Sequence, residues 1–343
     1  MLHQDQKDKF ITFGNNPRQV FRNLLERKRN AENKEHRKQV KLGLVIDGGG
    51  MRSIISGGIL VALHELGFNT AFDRIYGSSA GALAGAYFLS GQSPYGISIY
   101  YEDLNDNKFI SYKRGLPFFD IDYLMHVVEH KKCLDIESIK KSNATLFMSA
   151  SELGSGALRF FSSKEDTNLM LAIKASCALP LYYDKPVEIE GKKYIDAATA
   201  GLTPIVHKAL ADGCTDVLIL LNKQKYRRNR EYSKSPFWFN LWRLKWYLTH
   251  FKKLPFDNHV SEYRRFLPLI EGKDPISSHV NIAVIAPAKK PFHIATRDAK
   301  KLKEAYYTSY RYTLNLLEHL PYDDSAVHFQ KYSPLLQPYG VSC

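Results

Sequence analysis

The 343-residue chain has no run approaching the roughly twenty apolar residues that a membrane-spanning helix requires. The nearest stretch, Ile54 to Leu63, is short and broken by glycine. The opening Met-Leu-His-Gln-Asp-Gln-Lys-Asp-Lys lacks the apolar centre of a secretory signal. Cysteine is scarce: Cys133, Cys177, Cys214 and Cys343 form no C-x-x-C pair and join no His/Cys cluster of ligand spacing. That pattern argues against a disulfide framework and a cysteine-ligated metal site, and it predicts reduced, mostly structural thiols; no cofactor is expected. Cys343 is the last residue rather than the fourth from last, so no prenylation signal is present. Tandem repeats are absent too. These absences predict a cytoplasmic protein, soluble or peripheral at a membrane.

Of the composition, 44% is hydrophobic, ample for the core of one large α/β domain. The formal net charge of +13 implies attraction to polyanions, either an anionic lipid surface or nucleic acid. No zinc finger, RNP-type segment or helix-turn-helix signature accompanies the charge, so nucleic acid is not the expected partner.

Strand and helix patterns alternate along the chain, which predicts a mainly parallel sheet between helical layers. Residues 1–40 read as a basic N-terminal extension with a helix from Pro17. Its stripe of Val20, Phe21, Leu24 and Leu25 is suited either to docking on the core or to lying on lipid. Residues 41–222 form the core, 223–320 a helical completion with a late strand at Val280 to Ile285, and 321–343 a C-terminal tail. The three tryptophans, Trp238, Trp242 and Trp246, are spaced four apart on an expected helix that also carries Arg243, Lys245, Lys252 and Lys253. Such a column is a candidate membrane contact, against the plainer reading of a helix capping the core.

Two strand-to-helix turns carry the chemistry. The first follows the strand Leu42 to Ile46 and reads Asp47-Gly-Gly-Gly-Met-Arg52. Its glycines let the N–H groups of Gly48, Gly49 and Gly50 face one concavity with no Cβ in the way. The triple glycine lacks the G-x-G-x-x-G spacing, and no Gly-Lys-Ser/Thr follows it, which argues against a nucleotide phosphate. The second turn, Gly77-Ser-Ser79-Ala-Gly81, places a serine at the apex of G-x-S-x-G before a helix of small residues. A hydroxyl at a helix N-terminus meets roughly half a positive charge, which favours an alkoxide and a developing oxyanion. Much later, Pro186 to Asp196 alternates like a hairpin around Gly191 and delivers Asp196 at its end.

Together, Asp47-Gly-Gly-Gly-Met-Arg52, Gly77-Ser-Ser79-Ala-Gly81, Ala175-Ser-Cys-Ala-Leu-Pro180 and Tyr194-Ile-Asp196 resemble the patatin-like phospholipases, most closely the bacterial members, over about residues 41–222. The resemblance implies a three-layer α/β/α fold and metal-free hydrolysis of phospholipid or lysophospholipid acyl esters through an acyl-enzyme. In it Ser79 is the nucleophile, Asp196 the base and the glycine loop the oxyanion hole; Arg52 matches the family's basic position, suited either to steering an anionic head group or to pairing with an internal carboxylate. Asp47 and Asp184 are rivals for the base; Asp47 is better placed to shape the turn. Two departures matter: the family usually has glycine where this chain has Ser53 and Ala197, and each added Cβ obstructs if the backbone is left-handed.

Two alternatives remain open from sequence. One is an α/β-hydrolase triad drawing on His250, His259, His279 or His293, although only two strands are expected before Ser79. The other is a weak or inactive relative that binds lipid peripherally.

Overall fold

A computed structural model describes residues 9–29, 39–111, 113, 118–224, 245, 249 and 259–319. Its strands are β1 (Phe10–Phe13), β2 (Leu42–Ile46), β3 (Arg74–Ser78), β4 (Thr145–Glu152), β5 (Leu158–Ser162), β6 (Val187–Ile189), β7 (Lys192–Asp196), β8 (Asp216–Leu220) and β9 (Asn281–Pro287). They form one sheet in the order β1-β9-β8-β2-β3-β4-β7-β6, with β5 also paired to β4. The run β9-β8-β2-β3-β4 is parallel, and β1, β5, β6 and β7 join antiparallel.

The helices are α1 (Pro17–Arg29), α2 (Ile54–Glu65), α3 (Ala80–Leu89), α4 (Ser93–Ile97), α5 (Ile99–Glu102), α6 (Ile121–His130), α7 (Ile136–Lys141), α8 (Leu169–Cys177), α9 (Thr203–Ala211), α10 (His259–Ile270) and α11 (Ala299–Glu318). Successive strand residues point to opposite faces. On β2, Leu44 and Ile46 therefore pack with Ile59 and Leu60 of α2 and Leu302 of α11, while Val45 packs with Ile205 and Val206 of α9 and Phe266 of α10. Two apolar cores, one on each face of a largely buried sheet, make the three-layer α/β/α architecture expected from the alternating pattern.

The N-terminal segment carries the expected helix from Pro17 and, before it, a strand that was not expected. Residues Phe10 to Phe13 form an edge strand beside β9. Four residues between Lys9 and Gly14 give almost no periodic signal, and it is pairing with a preformed edge that makes them a strand. The stripe of α1 docks on the core: Val20, Phe21, Leu24 and Leu25 are all buried. Arg27, on the same helix, is 0% exposed; its guanidinium meets Asp73 at 2.8 Å and the Val40 carbonyl, and Asp73 in turn accepts the Leu42 N–H. This buried ion pair ties α1 to the starts of β2 and β3.

Among the described residues no helix is long and apolar enough to cross a membrane. Cys177 and Cys214 are free and buried, as expected. Cys133 is disulfide-bonded, against the expectation of a reduced thiol. The three tryptophans, Trp238, Trp242 and Trp246, and the tail after residue 319 lie outside the described residues.

Deleting the Arg27 side chain leaves a half-buried carboxylate and a backbone carbonyl without their cation. Arg27→Ala is expected to lower the free energy of unfolding by about 3 kcal/mol, measured as a shift of the urea midpoint at unchanged m-value.

Candidate active site

The site forms at the C-terminal ends of the parallel strands. On β4, residues Thr145 to Ser149 pair with β3, Ala150 to Glu152 pair with β7, and Phe147 to Ser151 pair with β5. Because β5 occupies the far edge, β3 and β7 must share the near one, running toward each other. Ser78, the last residue of β3, sits opposite Ser149, and Asp196, the last of β7, opposite Ala150. Two strand ends far apart in sequence thus meet head to head, with Ser79 in the first residue beyond one and Asp196 at the tip of the other.

Ser79 has φ 55° and ψ −133°. A non-glycine residue in that region is strained by on the order of 1–3 kcal/mol, and neighbouring groups hold it there. The Ser79 N–H donates to Ser176 Oγ at 2.9 Å, and Ser176 is fully buried. Close packing supplies the rest: a Cβ on Gly81 would stand 2.5 Å from the Ile46 carbonyl, and one on Gly48 2.9 Å from Ser79 Cβ. The glycines of the elbow and of the first turn therefore bring the two turns into direct contact. Asp196 is held from the same side as Ser79, its N–H donating to the Ala178 carbonyl at 3.0 Å. The end of α8 and the residue after it, Ser176 to Ala178, thereby clamp both partners.

Asp196 is 0% exposed. Burial pushes its pKa up to about 7; the nearby Ser79 hydroxyl and the Ala198 N–H pull it back, and the Asp47 charge raises it further. Oδ1 accepts the Ala198 N–H at 2.8 Å, whereas buried Oδ2 completes no hydrogen bond. The carboxylate thus has a hydroxyl beside it and one oxygen still to be satisfied. No histidine is among the groups that set its pKa. The thiol of Cys177, buried beside it, is kept protonated by burial and by the Asp196 charge.

The glycine loop has its N–H groups unspent: those of Gly48, Gly49 and Gly50 make no hydrogen bond to another described residue. Around them the chain is pinned, Asp47 N–H to the Leu220 carbonyl at 3.0 Å and Met51 N–H to the Ile294 carbonyl at 2.9 Å. Asp47 lies 3.7 Å from Lys223 and its carbonyl accepts from Asn222 at 2.6 Å, the pattern of a residue shaping the turn. Asp184, the other rival, is exposed. Arg52 is half-buried on the short 3-10 turn Gly50–Ser53, close enough to lower the pKa of His293, which burial lowers more. His293 Nδ1 accepts the Ala295 N–H at 3.2 Å. His279 is exposed before the start of β9, at the opposite end of the sheet, and His250 lies outside the described residues.

Both departures from the usual glycines are accommodated. Ser53 has φ −67°, and Ala197 is not among the residues of positive φ. Two residues with no sequence-level role emerge here. Ser176 falls within the Ala175 to Pro180 motif, so its position was marked although its contact was not. Asn222 carries no motif; it follows the buried parallel strand β8, where site loops gather.

A serine elbow, a buried carboxylate and a loop of amides unbonded to other described residues meet at one end of an α/β/α sheet. Residues 44–207 match the patatin-like phospholipase family. The uncharacterized protein YjjU of Escherichia coli (strain K12) is 27% identical over 185 residues, 52% of this chain and 51% of YjjU. The chain thus spans about half the length of the curated relative it matches. Among solved structures, VipD of Legionella pneumophila is similar at a TM-score of 0.43 and 11% identity, over 81% of this chain and 66% of VipD. The type III effector protein ExoU is similar at 0.32 and 13%, over 82% and 53%.

A group whose folded pKa is raised adds stability that is complete below its unfolded value, near 3.8, and lost as pH rises toward its folded value, about 7 for Asp196. Wild type therefore carries an unfavourable buried charge at pH 8 that Asp196→Asn removes. The variant is expected to gain about 2–4 kcal/mol over wild type between pH 4 and pH 8, read from urea midpoints at both pH values.

Proposed function

We propose that this chain is a serine acyl hydrolase that cleaves acyl esters of phospholipids or lysophospholipids by a Ser79–Asp196 dyad. The observation that carries the reading is the head-to-head meeting of β3 and β7, which sets the Ser79 hydroxyl against a buried carboxylate with a pKa of about 7. As the hydroxyl attacks the ester carbonyl, its proton passes to Asp196 and the carbonyl oxygen becomes an oxyanion. Amides of Gly48, Gly49 and Gly50 and the N-terminus of α3 receive that charge. Collapse of the tetrahedral species, with the proton returned to the leaving alcohol, leaves an acyl-enzyme. Water then attacks with Asp196 again as base.

A carboxylate with an ordinary pKa is a poor base for an alcohol; one raised to about 7 is matched to neutral pH. Support for an anionic interface is the +13 charge, and Arg52, half-buried at the loop, is the candidate for the substrate phosphate. The ordinary backbone at Ser53 and Ala197 supports an active enzyme over an inactive lipid-binding relative.

A fluorophosphonate is expected to label wild type at Ser79, as located by mass spectrometry, and to leave Ser79→Ala unlabelled. An adduct on another serine, or no adduct, refutes the assignment. Ser79→Ala and Asp196→Asn should each lower kcat by about 1000-fold or more. Because the base must be ionised, kcat/KM should rise with pH through about 7; a flat profile between pH 5.5 and 8.5 would remove Asp196 from the role.

A further inference from the structure

Asn222 lies directly behind the glycine loop, fully buried. Its Nδ2 donates to the Asp47 carbonyl at 2.6 Å and to Ser53 Oγ at 3.3 Å, while its Oδ1 accepts the Ser56 N–H at 2.9 Å. One amide therefore bonds the residue before the three glycines, the residue that ends the turn after them, and the first turn of α2. Its Cβ and the Ser53 hydroxyl also back the central glycine: a Cβ on Gly49 would stand 3.2 Å from the one and 3.5 Å from the other.

A trans peptide is planar and carries its C=O and N–H on opposite sides. Holding the Asp47 carbonyl toward Asn222 therefore turns the Gly48 N–H the other way. On that loop Gly48 is the residue pressed against the nucleophile's own side chain. We propose that Asn222 is a positioning residue for oxyanion binding: through the Asp47 carbonyl it sets the plane of the 47–48 peptide, and so aims the Gly48 N–H toward the reacting carbonyl above Ser79. Ser53, standing where the resemblance places a glycine, supplies the hydroxyl that engages the second hydrogen of the same amide and fixes its orientation. Asn222 touches no reacting atom in this scheme. Its effect is on the transition state, where the negative charge exists, and not on ground-state binding.

The inference rests on the hydrolase reading, so Ser79→Ala is assayed in parallel. Asn222→Asp keeps an oxygen for the Ser56 N–H but places a second oxygen against the Asp47 carbonyl, removing the donation; Asn222→Ser shortens the side chain and serves where the aspartate variant does not fold. With p-nitrophenyl butyrate, kcat should fall about 10- to 100-fold with KM within about threefold of wild type. An alkyl trifluoromethyl ketone, whose adduct places an oxyanion in the loop, should lose inhibition in the same proportion as kcat. A folded variant with kcat and ketone inhibition both near wild type overturns the proposal. So does one that loses stability, or kcat, while inhibition by the ketone is unmoved. Esterase activity persisting in Ser79→Ala refutes the hydrolase reading itself, whereas an inactive Ser79→Ala beside unaffected Asn222 variants refutes only the role of Asn222.

Discussion

One edge of β4 is shared end to end by two strands running in opposite senses, and the candidate site depends on that sharing. A parallel strand delivers its C-terminal turn to one end of the sheet. An antiparallel strand on the same edge ordinarily delivers its C-terminus to the other end. Here β4 is long enough, at eight residues, to take β3 along its first part and β7 along its last. The ends converge because each strand stops where the other stops. Hydrogen bonds across a sheet leave little freedom along the strand, since a slip of one residue would reverse every side chain. The strand ends that lead to Ser79 and carry Asp196 are therefore set by backbone pairing. The second clamp, Ser176 to Ala178, holds both from the helical side.

The convergence places a carboxylate where it is costly to ionise. Among the described residues no cation is among the groups that set the charge of Asp196; those that steady it are a hydroxyl and one backbone amide. Its conjugate acid is consequently easier to form than in water, which makes it a better proton acceptor. The strained Ser79 backbone adds a further cost of on the order of 1–3 kcal/mol. Both are sustained by the two apolar cores that flank the sheet, since burial returns about 25 cal/mol per Å² of apolar surface. Arg27 shows the contrast within one fold. Its charge is equally buried but paired at 2.8 Å with Asp73, an arrangement that stabilises structure and leaves no group free to accept a proton.

What the sequence made legible follows the range of the interactions involved. Gly77, Ser79 and Gly81 lie within one turn, and the sterics of that turn demand small residues, so local spacing sufficed. The hairpin to Asp196 was legible through alternation, with Glu190 and Gly191 both at positive φ in its turn. Strand β1 was not, because its conformation comes from the edge of β9 rather than from its own four residues. Nor did the stripe on α1 choose between lipid and core; the same Val20, Phe21, Leu24 and Leu25 suit either surface, and only the tertiary structure supplies one. Asn222 and Ile294 act on the glycine loop through single bonds reaching well over a hundred residues back in the chain. Bonds of that range leave no periodic trace.

The described N-terminal residues 9–29 also bear on the loop. Strand β1 covers the open edge of β9, and Lys9 accepts the Ala288 N–H just beyond the strand's end. The segment leaving β9 then returns to the site: the Ile294 carbonyl accepts the Met51 N–H and lies 2.8 Å from where a Cβ on Gly50 would stand. An unprotected β9 edge would expose unpaired backbone groups next to this segment. Covering it steadies the chain that limits Gly50 on one side, as Asn222 limits Gly49 on the other. The glycine loop can therefore be soft in its own torsions and still present its amides in a defined direction, because its rigidity is borrowed from elements placed at both ends of the sequence.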